Sequence, residues 1–388
     1  MPALARESLA RSVTHAIRTS PVTVLLGPRQ CGKTTLARSI AEASRRHTWF
    51  DLEDPESPLN PDVAKQVLGP LRGLVVIDEC QRQPALYPLL RVLADREPLP
   101  ARFLLLGSAS PELLRGTSET LAGRVAHCEM AGFDVTEILP TQLPTLWLRG
   151  GFPRSFLARA ENDSLRWRSD FVRSFLERDL PTLGVRVPSA TMRRFWTMLA
   201  HYHGGIWNAA ELARSLDAGQ NAVRHHVDLL TSALVVRQLP PWAENVGKRL
   251  VKAPKVYVRD SGLLHYFLGI RDRLSLLGHP ALGASWEGLV IDQVIRRLGA
   301  ERDAYHYRTH AGAELDLLIV HGSRRFGFEA KHGDTPKITK SMRVALADLR
   351  LDHLWIVHPG ERSFDLDERI SSLALRDLDA LVRRRRLA

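Results

Sequence analysis

Cysteine is scarce: Cys31, Cys80 and Cys128 are the only three among 388 residues. Scattered thiols without a CxxC pair exclude a disulfide framework and a cysteine-based zinc site, and they fit a reducing compartment. Long apolar runs are missing too, since nothing approaches the roughly 18 to 20 residues a membrane-crossing helix needs. The N-terminal Met1-Pro2-Ala3-Leu4-Ala5-Arg6 lacks the apolar core of a secretory signal, so a cytoplasmic protein with no membrane role is expected. Gly (26) and Pro (23) stay below low-complexity levels, and no internal repeat is evident. Acid is the minority charge: 43 Asp and Glu against 54 Lys and Arg leave +11, which favours a polyanionic partner such as nucleic acid. The Arg383 to Arg386 run reads as a solvated tail.

What is present is an ordinary globular composition, 44% hydrophobic and 25% charged, on a chain long enough for two or three domains. Short apolar runs at 22–26, 48–52, 74–78, 103–106 and 125–130 alternate with helix-like stretches, the pattern of a parallel α/β sheet covered on both faces. This predicts an α/β domain over 1–145. A helical linker with many aromatic and Arg residues follows over 146–205. Residues 206–280 read as a winged helix-turn-helix, with helices at 209–216 and 221–232 and strands at 234–239 and 255–258. A smaller α/β domain is expected over 281–388.

Gly27-Pro28-Arg29-Gln30-Cys31-Gly32-Lys33-Thr34 fits the phosphate-loop pattern GxxxxGK[ST] between a strand and a helix that starts at Thr35. In such a loop the backbone N–H groups and the helix N-terminus receive phosphates, Lys33 reaches the β and γ groups, and Thr34 binds Mg²⁺. Gly73-Leu74-Val75-Val76-Ile77-Asp78-Glu79 ends an apolar strand in two carboxylates, a Walker B pattern. There Asp78 serves the Mg²⁺ and Glu79 the attacking water. Ser108, after the strand 103–106, is either a γ-phosphate sensor or a helix cap. Arg124 is a candidate charge-stabilising finger, with an ordinary surface role as its alternative. Cys31 within the loop reads as a small filler.

These motifs, with Gly107-Ser108-Ala109-Ser110, Leu121-Ala122-Gly123-Arg124, Gly150-Gly151-Phe152-Pro153, Phe175-Leu176-Glu177-Arg178-Asp179-Leu180 and the Lys255 to Leu264 stretch, resemble the prokaryotic AAA+ ATPases that carry a C-terminal domain of unknown function. The resemblance spans nearly the whole chain. It implies an AAA+ fold, ATP and Mg²⁺ as ligands, and a homo-oligomer, a hexameric ring being one form, with an arginine supplied by a neighbour. No second sensor arginine is evident, which leaves Arg124, Arg178 or another arginine open as the finger.

Residues 189–260 hold ten Lys or Arg against five acids. A winged helix would turn Gln220, Asn221, Arg224, His225 and His226 toward a DNA groove, with Lys248, Arg249 and Lys252 on the wing beside phosphates. A protein-contact module is the alternative. Farther on, Asp316 on one strand and Glu329-Ala330-Lys331 on the next, after a helix bearing Glu287, resemble the PD-(D/E)xK arrangement of restriction-enzyme-like nucleases. Carboxylates so arranged hold a metal against a scissile phosphate. Glu287, Asp316 and Glu329, with Lys331, are therefore a candidate second metal site, and a structural ion-pair network is the alternative. The expectation is an ATP-hydrolysing protein that binds and remodels or processes DNA. The alternative is an ATP-dependent switch or scaffold acting on a protein, with an inert nuclease-like domain.

Overall fold

The computed structural model describes residues 6–108, 111–182, 187–243, 250–333 and 336–385, which fall into two compact units. The first comprises 1–132 with the short returning segments 179–185 and 232–234. Its centre is a five-stranded sheet of β1 (Val22–Gly27), β2 (His47–Asp51), β3 (Gly73–Asp78), β4 (Ala101–Ser108) and β5 (Val125–Glu129), in the order β2-β3-β4-β1-β5. Every pairing is parallel. The expected strands are all there, with ends displaced by one or two residues.

Along β1, alternate residues serve opposite faces. Val22, Val24 and Leu26 join a core with Leu86, Leu90 and Leu93 of the helix Leu86–Ala94. The buried Thr23 and Leu25 point the other way, and helices α1 (Glu7–Thr19) and α2 (Lys33–Glu42) pack on β1 and β4. Because the strands are parallel, their carboxyl ends share one edge, and the loop that opens α2 lies on it.

The second unit comprises 133–178, 186–231 and 235–388, so the helical, winged-helix and C-terminal stretches fold together. The resemblance motifs that carry no chemistry of their own clasp one another here. Asp260 accepts hydrogen bonds from Gly151 N (2.8 Å) and Leu263 N (2.9 Å). Gly150 has φ +77, and a Cβ on it would sit 2.1 Å from the Asp260 carboxylate. The buried Arg168 donates to Gly262 O at 3.0 Å.

Helices α3 (Ala209–Leu216) and α4 (Gln220–Ser232) lead into the antiparallel pair β6 (Val236–Leu239) and β7 (Lys255–Val258). Asn208 caps α3 through Glu211 N. The wing extends as a strand edge along β8 (Ala304–Arg308): Trp242 N donates to His306 O at 2.8 Å and Val251 N to Arg308 O at 2.9 Å.

The C-terminal sheet has the order β12-β13-β11-β10-β9-β8, where β9 is Glu314–His321, β10 Arg324–Ala330, β11 His353–His358, β12 Phe364–Asp367 and β13 Ile370–Ala374. Helix α5 (Leu282–Leu298) brings Trp286, Val290 and Val294 to one face with Leu317, Phe328 and Trp355. Helix α6 (Lys340–Asp348) brings Met342 and Ala345 to the other, with Leu318 and Ile356. Trp196 and His203 pack as core, and His203 Nδ1 accepts from Val258 N at 3.0 Å, whereas Tyr202 is half-buried and His201 is exposed.

A buried carboxylate ties β6 and the residue after β7 to α5. Asp292 receives Arg237 at 3.0 Å, Arg259 at 3.2 Å and Arg296 at 3.3 Å. Burial alone would raise its pKa, but the three guanidiniums outweigh burial and hold it at about 2. Asp292→Asn is therefore expected to cost about 3 to 5 kcal/mol, the scale for breaking a buried ion pair. Because the folded-state pKa lies below the ordinary 3.8, this contribution is complete above that value and fades as pH falls toward about 2. Melting temperatures of the two proteins should thus converge on acidification, and a pH-independent gap would contradict the assignment.

Candidate active site

The loop between β1 and α2 is shaped by positive φ at Gln30 (62°) and Gly32 (101°). Gly32 takes this conformation without strain. Gly27 is required for a different reason: a Cβ there would lie 2.3 Å from Met130 O. Lys33 is buried, and its ammonium donates to Gly27 O and Pro28 O, both at 2.9 Å, so the charge is held over the loop. Cys31 is buried with Sγ 3.7 Å from Met130 O, a filler as expected. Thr34 and Thr35 are exposed in the first turn of α2.

Across the edge, the Thr34 hydroxyl donates to Asp78 Oδ2 at 2.9 Å. Burial pushes the Asp78 carboxyl above its usual range, opposed by this hydrogen bond. Glu79 follows at φ 52, in the left-handed region, and Gln81 Nε2 donates to its carboxylate. Ser108 ends β4, the strand between β3 and β1, and its buried Oγ has no hydrogen-bond partner among the described residues. Ala109 and Ser110 lie outside the described residues. Lys33, Thr34, Asp78, Glu79 and Ser108 thus converge on one edge, where a polyphosphate would meet the amides and ammonium of the loop, and Thr34 and Asp78 could hold its Mg²⁺.

Arg124 does not join them. It precedes β5, and its carbonyl accepts from Val22 N at the start of β1, so it sits at the opposite edge of the sheet. Five residues of β1 separate the two edges, about 17 Å at roughly 3.3 Å per residue. Its guanidinium pairs with Asp95. Arg124 therefore cannot serve the loop of its own chain.

A signal hidden from sequence reasoning surrounds Arg29. Its guanidinium meets Asp179 Oδ1 at 3.1 Å and Glu53 Oε1 at 3.4 Å, and Glu53 also meets Arg82 at 3.5 Å. Only chain folding brings these four residues together.

In the second unit the carboxylates of the candidate metal site converge, but not around an open space. The buried Lys255 ammonium lies 2.9 Å from Glu287 Oε1 and 3.5 Å from Asp316 Oδ1, and Tyr257 OH donates to Glu287 Oε1 at 2.6 Å. Burial alone would lower the Lys255 pKa, but Glu287 and Asp316 reverse this and raise it, so the ammonium keeps its proton. Asp316 accepts from Ala330 N at 3.0 Å, while Glu329 pairs with Lys331 at 2.9 Å. Burial raises both carboxyls, helped by Glu287 at Asp316 and by Asp316 at Glu329. Lys331 lies just past the end of β10, not on the strand as its spacing suggested. Among the described residues no three His, Cys, Asp or Glu are arranged to hold a metal ion. As the set stands a metal does not fit it, because a lysine occupies the space between two of its carboxylates.

On α4, Asn221, Arg224 and His225 are exposed, as is Lys252 in the segment between β6 and β7, whereas His226 is buried against Phe195. Lys248 and Arg249 lie outside the described residues. Of the ten basic residues counted over 189–260, Arg237, Arg259 and Lys255 are buried in ion pairs and contribute nothing to a phosphate-binding surface.

The uncharacterized protein Rv2008c of Mycobacterium tuberculosis is 51% identical over 365 residues, which is 94% of this chain and 82% of that protein. The uncharacterized protein Mb2031c of Mycobacterium bovis gives the same figures. The chain belongs to the family of these two proteins. An AAA domain matches residues 19–139, followed by two domains of unknown function, DUF8612 over 140–274 and DUF4143 over 282–378. The Walker-type ATPase PABY2304 of Pyrococcus abyssi is 16% identical with a TM-score of 0.50, covering 68% of this chain and 96% of that one, which is a likeness of fold. The protein is an AAA-type P-loop ATPase that binds ATP, and among its described residues no helix is long and apolar enough to cross a membrane.

For this ATPase, Lys33→Ala is expected to abolish turnover by removing the charge that meets the phosphates. Glu79→Gln should retain ATP while slowing hydrolysis by about 10² to 10⁴, the range for losing a general base. Single-turnover hydrolysis together with nucleotide binding checks both. Wild-type turnover in Glu79→Gln would move the water-positioning role elsewhere.

Proposed function

We propose that this AAA-type ATPase binds DNA and uses ATP hydrolysis to remodel it, with the C-terminal domain as a nuclease-like scaffold that does not cleave. The observation that carries the DNA reading is the exposed face of α4, where Asn221, Arg224 and His225 stand clear on the second helix of a helix-turn-helix. The nuclease-like reading rests on the order α5-β8-β9-β10-α6-β11 and on Asp316 facing Glu329 across the antiparallel pair. The absence of cleavage rests on Lys255 lying between Glu287 and Asp316. Mg²⁺, held by Thr34 and Asp78, would neutralise charge on the ATP phosphates when bound.

The active form is a homo-oligomer. Arg124 is too far from its own loop to act there, and an arginine that leaves Asp95 for a neighbour's phosphates would complete the site in trans. Mixing Lys33→Ala with Arg124→Ala subunits should then restore part of the activity that each lacks alone. No recovery, or full activity from a strict monomer, would remove the trans role.

The decisive measurement for DNA is a salt titration. Affinity should fall steeply as salt rises, and Arg224→Ala should weaken binding and flatten the slope by roughly one phosphate contact. Mg²⁺ or Mn²⁺ should support no cleavage of single-stranded, duplex or branched DNA. If no DNA binds at any salt concentration, the second reading takes over: an ATP-dependent switch acting on a protein partner. That reading is favoured by one observation, that the strands of the wing are already engaged by β8.

A further inference from the structure

We infer that Arg29, the arginine within the phosphate loop, contacts the γ-phosphate of ATP in its own subunit, and that Asp179 and Glu53 hold it back as a latch until ATP arrives. Three observations converge on it. First, Arg29 is the second residue after Gly27, on the loop that receives the phosphates, and next to Pro28, whose carbonyl anchors the Lys33 ammonium at 2.9 Å. Second, its guanidinium reaches toward the carboxyl edge of the sheet. Glu53 follows the end of β2, where Asp51 is in register with Asp78 of β3, so the Arg29 to Glu53 pair lies along the same edge as the Walker B carboxylate. Third, the pair with Asp179 is protected, with side chains 23% and 12% exposed, which makes it stronger than a surface pair while still open to displacement.

The charges explain why ATP would switch it. Arg29, Arg82, Glu53 and Asp179 balance as two cations and two anions. A polyphosphate entering the loop adds negative charge beside both carboxylates and offers the planar guanidinium a pair of phosphate oxygens as a bidentate acceptor, the geometry arginine fits better than lysine. Arg29 then leaves Asp179 for the γ-phosphate. Asp179 is the last residue of the π-helical turn Phe175–Asp179, a wide turn of the kind that changes register at functional sites, so its release reports nucleotide state to that turn. ADP lacks the γ group and leaves the latch closed.

The test separates kcat from nucleotide affinity in the full-length protein. Arg29→Ala should lower kcat by about 100-fold or more, the scale of removing one charge-stabilising donor. Arg29→Lys should recover part of that loss. Asp179→Asn should tighten ATP binding several-fold and leave ADP binding unchanged, because it frees the guanidinium only for a γ-phosphate. The double variant Arg29→Ala/Asp179→Asn should lose that tightening. Mixed Lys33→Ala and Arg29→Ala subunits should regain no activity, since both residues serve the same loop, in contrast to Arg124. A wild-type kcat in Arg29→Ala, or equal effects of Asp179→Asn on ATP and ADP, would overturn the inference. If Arg29→Ala does not fold, as its melting curve would reveal, the ATP-to-ADP affinity ratio of Asp179→Asn decides alone.

Discussion

One hydrogen bond, from the Thr34 hydroxyl to Asp78 Oδ2, joins the loop after β1 to the end of β3 although β4 runs between those strands. It can form only because every pairing in the sheet is parallel, which brings all carboxyl ends to one edge. The rest of the ATP site follows from it. The loop must pass close over the edge, so Gly27 has no room for a Cβ beneath Met130 O. Ser108, at the end of the intervening strand, is left under the bridge with no hydrogen-bond partner for its hydroxyl among the described residues, the condition for a group that meets an incoming phosphate or water. Asp78 is buried by the same arrangement, which is why its carboxyl is raised and needs the Thr34 hydroxyl as a donor.

The second unit solves the opposite problem. Here several buried charges are answered by partners from distant parts of the chain. Asp292 on α5 gathers Arg237 from β6 and Arg259 after β7, while Glu287 on the same helix and Asp316 on β9 share Lys255 of β7. The β6–β7 pair is thus fastened to α5 and β9 by its own basic residues. A positive balance over 189–260 read as affinity for phosphate is therefore partly internal, and among the described residues Arg194, Arg214, Arg224 and Lys252 are the ones exposed to solvent.

Legibility in the sequence tracks how local the physics is. The five parallel strands are buried on both faces, so they read as plain apolar runs and were placed to within a residue or two. The Walker A pattern was legible because phosphate binding needs two glycines at a fixed spacing, a lysine and a hydroxyl at one strand-to-helix turn. Strands β12 and β13 were missed. Phe364–Asp367 is mostly exposed and acidic, and Ile370–Ala374 carries serines whose polarity hides a buried strand. The structure satisfies Ser371 through His353 and Asp365. Lys255 and Arg29 were legible as residues but not as partners: Lys255 lies far in sequence from Asp316, and Arg29 from Asp179, and no periodicity links them. Arg124 could not be placed for the same reason, since its neighbouring glycine says nothing about which edge of the sheet it occupies, and only the structure removes it from the loop of its own chain.

The two buried lysines expose the difference between a site and a seal. The Lys33 ammonium rests on two neutral carbonyls, and hydrogen bonds of a charged donor are worth about 1.5 to 3 kcal/mol each in net terms. A phosphate offers the same ammonium a full negative charge in return, so exchange is favourable and the carbonyls are left accepting nothing worse than water. The Lys255 ammonium rests on two buried carboxylates, and removing it would leave both uncompensated, at about 3 to 5 kcal/mol for a broken buried pair. A divalent cation would have to meet that cost and also find a new place for the lysine, which β7 holds fixed between Val256 and the wing. The first arrangement can be displaced by a phosphate and the second resists a cation, which is why the same kind of residue marks a candidate ATP site in one unit and a buried ion-pair cluster in the other.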